Sequence, residues 1–219
     1  MDEMHEKLER LKDTLKGYGG VAVAFSGGVD STFLLKVAHD ALGSRCVAVT
    51  VRSRLFPGRE ISESARFCES EGVRQLMVDP DGAFMDGIVH NPPDRCYICK
   101  RGLFGLMLNA AAAEGMSVVC EGSNTDDLGD YRPGLKAVAE LGIQSPLRGC
   151  GLSKREIRAL SAELVGLAHD ALGAVGKHDR IGIKACKGCL LLKSVGFVVC
   201  GHGLQLESRQ HTRDQKQKS

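Results

Sequence analysis

Near the start of the chain, Met4, Leu8, Leu11 and Leu15 recur at helical spacing among charged residues, and the pattern stops at Gly17-Tyr18-Gly19-Gly20. This predicts an amphipathic helix with a glycine end. The continuous apolar run Val21 to Phe25 is too short for a buried helix and reads as a buried strand. After a glycine-rich turn, Thr32 to Leu42 reads as a helix closed by Gly43, and the β-branched stretch CVAVTV, Cys46 to Val51, as a second strand. A strand, a helix and a strand in this order form a parallel pair with a right-handed crossover. Ile61 to Glu71 continues as a helix ended by Gly72, Gln75 to Val78 as a third strand, and Asp79-Pro80-Asp81-Gly82 as a turn. Beyond a loop carrying Asn91-Pro92-Pro93, a long helix is expected over Tyr97 to Glu114, favoured by the alanines at 110–113. A fourth strand is expected at Val118-Val119-Cys120, and a short fifth just before Ser145-Pro146-Leu147. Ser153 with Glu156 makes a capping box for a helix running to about Leu164. The alternation predicts an α/β fold with a doubly wound parallel sheet. From Leu172 onward Gly173, Gly176, Gly182, Gly188, Gly196, Gly201 and Gly203 interrupt every period, and ESRQHTRDQKQKS at the end is polar enough to be a disordered tail.

Composition narrows the setting. With 219 residues, 43% of them hydrophobic, the chain can bury one sizeable core and a small appended lobe. Lysine plus arginine (29) nearly balance aspartate plus glutamate (27), which argues against nucleic acid or an anionic membrane as partner and leaves a small anionic ligand held by local charge. The first residues are too charged for a secretory signal, and no apolar run approaches the roughly 20 residues of a membrane span, so a soluble, cytoplasmic protein is expected. The nine cysteines are scattered. In a reducing compartment they read as core residues, metal ligands or reactive thiols. Cys46, Cys68 and Cys120 lie in apolar or amphipathic runs and read as core, whereas Cys96/Cys99 and Cys186/Cys189 form Cys-x-x-Cys pairs.

The turn after the first strand reads Ala24-Phe25-Ser26-Gly27-Gly28-Val29-Asp30-Ser31-Thr32. A strand, a glycine-rich turn and a helix present backbone N–H groups and the positive end of a helix dipole to an anion. Gly27 and Gly28 permit close approach, and the hydroxyls of Ser26, Ser31 and Thr32 can donate to phosphate oxygens. Asp30 cannot meet phosphate without a cation, which leaves a magnesium ion or an N-cap role. The string lacks the lysine of a Walker loop and the Gly-x-Gly-x-x-Gly of dinucleotide folds. Ser-Gly-Gly-Val-Asp-Ser-Thr instead resembles the pyrophosphate loop of the N-type ATP pyrophosphatases, which implies a Rossmann-like fold of the adenine nucleotide alpha hydrolase type. It also implies ATP and Mg2+, with cleavage between the α and β phosphates and adenylation of a substrate oxygen.

Further strings narrow the resemblance: Asn91-Pro92-Pro93-Asp94-Arg95-Cys96-Tyr97-Ile98-Cys99-Lys100, then Glu121-Gly122-Ser123-Asn124-Thr125-Asp126-Asp127 with Asp130-Tyr131-Arg132-Pro133-Gly134, then Ser145-Pro146-Leu147 with Gly151-Leu152-Ser153-Lys154. Together they resemble the LarE-type ATP-dependent sulfur transferases over about residues 5–166. The resemblance implies a pyridinium mononucleotide whose carboxylate is adenylated and then receives sulfur, on the way to a nickel-pincer cofactor. The loop after the fourth strand should lie at the carboxyl edge of the sheet beside the first, where ligands of open α/β folds bind. Gly122 and Asn124 would face the nucleotide there, with Asp126 or Asp127 beside Asp30 near magnesium and Arg132 offsetting developing charge. A solvated turn capping the next helix is the alternative for the two aspartates. Thr50 and Ser53, at the end of the second strand, would lie near adenine or ribose by the same edge rule. Arg95 and Lys100 are plausible anion contacts. Cys96 and Cys99, one helical turn apart at a helix start, are expected to be structural or to line the substrate, with a metal or iron–sulfur site as the alternative.

The resemblance breaks after about Gly166. Where family members carry Trp-Asp-Lys-Pro and then Ala-Cys-Leu-x-Ser-Arg-Ile, with that cysteine as sulfur donor in sacrificial members and a cluster delivering sulfur in others, this chain reads His169 to Ile181. Asp170, Arg180 and Ile181 fit, with Arg180 a candidate substrate contact, and Gly176 stands at the donor position. Cys186 and Cys189, flanked by Lys184 and Lys187, are the nearest substitutes. The expected organisation is a pyrophosphatase domain over residues 1–166, a divergent segment over 167–205 and a polar tail over 206–219. A small nucleotide substrate and a homo-oligomer are the partners the resemblance implies. A tRNA thiolase of the same superfamily, and a nucleotide-binding protein without turnover, are the alternative functions.

Overall fold

The computed structural model describes residues 2–52, 58–80, 94–129 and 133–164. Its elements run α1 (Glu3–Gly17), β1 (Val21–Ala24), α2 (Val29–Leu42), β2 (Cys46–Val51), α3 (Gly58–Glu71), β3 (Arg74–Val78), α4 (Arg95–Ala113), β4 (Val118–Cys120), α5 (Pro133–Glu140), α6 (Pro146–Gly149) and α7 (Lys154–Leu164). The strands form one parallel sheet in the order β3-β2-β1-β4. Val21 pairs with Cys46 on one side and Val118 on the other, so β1 is central. Its residues are all buried, which explains an unbroken apolar run instead of an alternating one.

Successive strand residues point to opposite faces, and the two faces have separate cores. Val21, Val23, Phe25, Cys46, Ala48 and Cys120 pack with Leu8, Leu11 and Leu15 of α1, Phe33 and Leu34 of α2, and Ile157 and Leu160 of α7. Ala22, Ala24, Val47, Val49, Val51 and Val119 pack with Leu103, Phe104 and Met107 of α4 and Val138 of α5. Helices therefore cover both faces, as a doubly wound sheet requires. The chain moves outward from β1 to β2 to β3 and then returns to place β4 on the far side of β1. The order thus reverses between β1 and β4, and the crevice beyond their carboxyl ends is where such a fold receives a ligand.

The structure departs from the sequence expectations in local ways. Helix α2 starts at Val29, within the glycine-rich turn, because Gly28 is extended (φ −71, ψ 155) and serves as its N-cap. The expected fifth strand is only a parallel bridge between Cys120 and Gln144, because Pro146 starts α6 almost at once. Helix α5 and a short 3-10 turn at Thr125–Gly129 were not anticipated. Cys46, Cys68 and Cys120 are core residues as expected, and burial pushes the thiols of Cys46 and Cys68 up to about 12. No helix among the described residues is long and apolar enough to cross a membrane. The expected segments 167–205 and 206–219 lie outside the described residues.

One ion pair ties the N-terminal helix to α7. Lys7 Nζ meets Glu156 Oε1 at 2.8 Å, each side chain only 16% exposed. The other carboxylate oxygen, Oε2, accepts from the Ser153 backbone N–H at 2.8 Å and from its hydroxyl at 2.6 Å, so the capping box is formed. The Lys7 ammonium first, and the Ser153 hydroxyl next, hold the Glu156 carboxyl down at about 2. A depressed folded-state pKa contributes stability that is complete above the unfolded value and is lost as pH falls through the folded one. Glu156→Gln is accordingly expected to lower the urea midpoint at pH 7, and the gap to the wild type should close as pH falls from about 4.5 toward 2.

Candidate active site

Two loops meet at the reversal point. The first leaves β1 at Ala24 and closes on itself before α2. Ser31 Oγ donates to the Gly28 carbonyl at 3.0 Å, Ser26 Oγ lies 3.1 Å from Ser31 Oγ, and the Gly28 N–H donates to Ser26 Oγ at 3.3 Å. Gly27 takes φ +79, a conformation that favours glycine. No side chain caps the N-terminus of α2. Its leading N–H groups, with the helix dipole behind them, are therefore directed at the mouth of the crevice.

The second loop follows β4. An ideal Cβ on Gly122 would sit 3.1 Å from Ser31 N and 3.3 Å from both the Asp30 carbonyl carbon and Ser31 Cα. Those neighbours are backbone, so a larger residue would push the loops apart by a few tenths of an ångström, and glycine lets them touch without that shift. Two residues further, Asn124 Nδ2 donates to Asp30 Oδ2 at 3.2 Å. Asp127 Oδ2 accepts from Asn124 N–H at 3.0 Å, and the Asp126 N–H donates to Asn124 Oδ1 at 3.0 Å. Asp126 Oδ2 also accepts from the Lys154 N–H at 2.9 Å, capping the start of α7 from a distance. Both aspartates thus commit one oxygen to turn and cap bonds, and Asp127 is close enough to Asp30 for their charges to interact.

Asp30 is the electrostatic centre. It is 4% exposed, and its buried Oδ1 has no hydrogen-bond partner among the described residues. Burial, the largest cause, raises its carboxyl to about 6; Lys154 and Arg158 pull the other way, as does the Asn124 bond, while Asp127 adds to the rise. Lys154 and Arg158 stand one turn apart on α7 and were not among the residues picked out from the sequence. Their i, i+4 spacing next to the Gly-Leu-Ser turn was the available signal. A buried oxygen without a partner, in a mouth built for anions, fits a cation that joins carboxylate to phosphate.

Other expected residues fall as follows. Thr32 is buried at the base of the loop, its N–H bonded to the Gly28 carbonyl at 2.9 Å. Thr50 is buried too, and its hydroxyl donates to the Phe25 carbonyl at 2.9 Å and accepts from Gln75 Nε2 at 2.8 Å. The hydroxyl therefore steadies the chain entering the loop, and only its backbone is left for a ligand. Arg95 opens α4. Lys100 is 5% exposed, and its stem lies across Gly134, where a Cβ would come within 2.7 Å of Cδ. Cys96 is half-buried and Cys99 buried one turn apart on α4, and among the described residues no group of three or more His, Cys, Asp or Glu is arranged to hold a metal ion. Ser53, Arg132, Arg180, Cys186 and Cys189 lie outside the described residues.

No protein-family model matches the chain. Comparison with individual proteins does find relatives. The chain is similar to a pyridinium-3,5-bisthiocarboxylic acid mononucleotide synthase. That synthase, from Lactiplantibacillus plantarum, is 37% identical over 165 residues, which are 75% of this chain and 60% of the synthase. An uncharacterized protein of Synechocystis sp. is 37% identical over 164 residues, 75% of this chain and 61% of that one. A glutamine-hydrolyzing GMP synthase of Aquifex aeolicus is 27% identical over 179 residues, 80% of this chain and 34% of the enzyme. The chain thus spans about three fifths of the length of the synthase and of the Synechocystis protein.

The junction gives a stability prediction with an internal control. Gly122→Ala forces a methyl against backbone and should cost about 1–3 kcal/mol in chemical denaturation. Gly105→Ala, in α4 with nothing within 4 Å of its Cβ, should be neutral or stabilising by up to about 1 kcal/mol. Asp30 gives another. Because its folded-state pKa is raised, the stability linked to its proton is complete below about 3.8 and lost as pH rises through about 6. In the ligand-free protein, Asp30→Asn should therefore raise the urea midpoint at pH 8, with the gain shrinking toward zero at pH 4.

Proposed function

We propose that this chain is an ATP-dependent sulfur transferase that adenylates the carboxylate of a pyridinium mononucleotide, releases pyrophosphate and exchanges the activated oxygen for sulfur. The observation that carries the reading is the buried, unpartnered oxygen of Asp30 beneath the uncapped N-terminus of α2. The similarity to the mononucleotide synthase supplies the substrate class. Gly27 and Gly28 bring backbone close to the phosphates of ATP, while Ser26, Ser31 and Thr32 offer hydroxyls. The backbones of Ala24 and Thr50 are assigned to the nucleoside, as is Ser53 from its place in the sequence, and Gly122 and Asn124 are assigned to the opposite wall.

Asp30 is the residue best suited to hold Mg2+, with the second oxygens of Asp126 and Asp127 as further donors. The ion would supply charge neutralisation along the triphosphate. Lys154 and Arg158 add positive charge from α7. The acceptor carboxylate oxygen then attacks the α-phosphorus, the bond to the bridging oxygen of the β-phosphate breaks, and pyrophosphate leaves with that electron pair. Catalysis of this kind rests on positioning and on stabilising the charge that develops at phosphorus, to which we assign Arg132. Arg95, Lys100 and Arg180 are assigned to the anionic groups of the acceptor, and Cys186 or Cys189 to sulfur delivery. The iron–sulfur cluster is the alternative route of delivery, and a homo-oligomer in the cytoplasm is the proposed setting.

The test is pyrophosphate release from ATP and Mg2+ with and without a dicarboxylated pyridinium mononucleotide, followed by the mass of the intact protein. Release that depends on the acceptor is expected, and Asp30→Asn should reduce it by roughly 100-fold or more. A mass loss equal to hydrogen sulfide, abolished by Cys186→Ala or Cys189→Ala, would identify a sacrificial donor. ATP binding with no pyrophosphate under any of these conditions would overturn the proposal.

A further inference from the structure

The residue just before Gly122 is Glu121, and it is completely buried. Its Oε2 accepts from Ser123 Oγ at 2.7 Å, and its Oε1 accepts a short bond from Ser145 Oγ. Arg148 Nη2 donates in turn to Ser145 Oγ at 3.2 Å. Among the described residues, hydroxyls are the groups that reach this carboxylate directly, and the guanidinium stands one bond further away. A buried carboxylate without a direct cationic partner is unfavourable, and an apolar side chain of similar size would fill the space at no such cost.

What the carboxylate provides is connection. The segment from Gln144 to Leu152 runs alongside the exit of β4, with Glu121 N–H donating to the Gln144 carbonyl at 2.8 Å, Arg148 N–H to the Ser123 carbonyl at 3.1 Å and Thr125 N–H to the Leu152 carbonyl at 3.0 Å. These backbone bonds align the two strips. The Glu121 side chain locks them by holding one hydroxyl from each, Ser123 from the loop and Ser145 from the turn before α6. Gly122 and Asn124 flank Ser123, one resting on Ser31 and the other bonded to Asp30.

We infer that Glu121 is a positioning residue of the nucleotide site: with Ser123, Ser145 and Arg148 it clips the β4 loop so that Gly122 and Asn124 meet the start of α2. It touches no substrate and acts through Asn124 and Gly122. The inference rests on the nucleotide reading for its consequence and on the ligand-free geometry for its existence, so the two are tested separately.

The variants are Glu121→Gln, which keeps size and removes charge, and Ser145→Ala, which removes one donor and should fold if the first does not. Ligand-free hydrogen exchange is read by mass spectrometry at 26–31, at 121–125 and at 8–15 in α1. Exchange is expected to quicken by about tenfold in the two loops, with α1 unchanged. Affinity for ATP is expected to fall by about tenfold while affinity for adenosine, which lacks phosphates, stays within about twofold. Loop exchange at the wild-type rate in both variants would overturn the inference. So would a parallel loss of ATP and adenosine binding, which a general loosening produces. If the wild type binds neither nucleotide the functional reading falls, and the exchange comparison still decides whether Glu121 positions the loop.

Discussion

The arrangement of this protein depends on a close contact between two backbone segments that a glycine makes without strain. Gly122 abuts the backbone of Asp30 and Ser31, so the loop after β4 and the N-terminus of α2 share one surface. The contact requires β4 to lie beside β1, which the order β3-β2-β1-β4 provides. It also requires α2 to begin early enough to carry Asp30 and Ser31 into the junction, which Gly28 provides by serving as N-cap in place of a polar side chain. A serine or aspartate cap would have satisfied the first N–H groups of the helix internally. Left uncapped, they point at whatever enters the crevice.

Charge in the crevice is balanced from α7, which packs against α2. Lys154 and Arg158 act on Asp30 from α7, and the direction of α7 is set at its first turn. That turn is held twice, by Asp126 accepting from the Lys154 N–H and by the Ser153–Glu156 capping box. Glu156 is in turn held by Lys7 of α1. The N-terminal helix, which carries none of the residues assigned to chemistry, thus helps to fix where positive charge reaches the buried carboxylate. A pair with both partners mostly shielded, braced by extra hydrogen bonds, is better suited to this than an exposed one.

Much of the fold was legible because burial on both faces leaves a plain mark: VAVA and CVAVTV are apolar at every position. The turn between β1 and α2 was legible from glycines and hydroxyls in one short string. The start of α2 was not, since Gly-Val-Asp-Ser resembles turn composition and the cap is a glycine. The 3-10 turn and α5 were hidden by the Asp, Gly and Pro around them, although Pro133 at the first helical position was a usable sign. Asp126 and Asp127 read in sequence as metal ligands or as a turn, and in space each places a carboxylate oxygen in a turn or cap bond. Glu121 was visible as the first residue of a string but carried no role, because an acidic residue before Gly-Ser-Asn has no period and its partner Ser145 is remote in sequence. Lys154 was visible as part of a string, and only the packing of α7 gives it a role.

The site gathers the features that a fold selected for stability alone would have removed. Among the described residues, Glu121 and Asp30 are buried carboxylates without a direct cationic partner of their own, Asp30 Oδ1 has no hydrogen bond, and no side chain caps α2, all close to Gly122 in space. Elsewhere α1 is capped by Asp2, α7 has its capping box, and Arg52 forms a two-pronged pair with Asp79, while α4 and α6 lack side-chain caps and, among the described residues, His39 Nδ1 and Ser161 Oγ are buried without a partner. What distinguishes this crevice is that its conflicts lie within a few residues of one another, so that a single ligand could meet more than one of them. A triphosphate with its cation would resolve two of them together, the anion meeting the open N–H groups and the cation meeting Asp30. The third, at Glu121, is resolved within the protein, and its unfavourable burial is the condition for holding the other two in register.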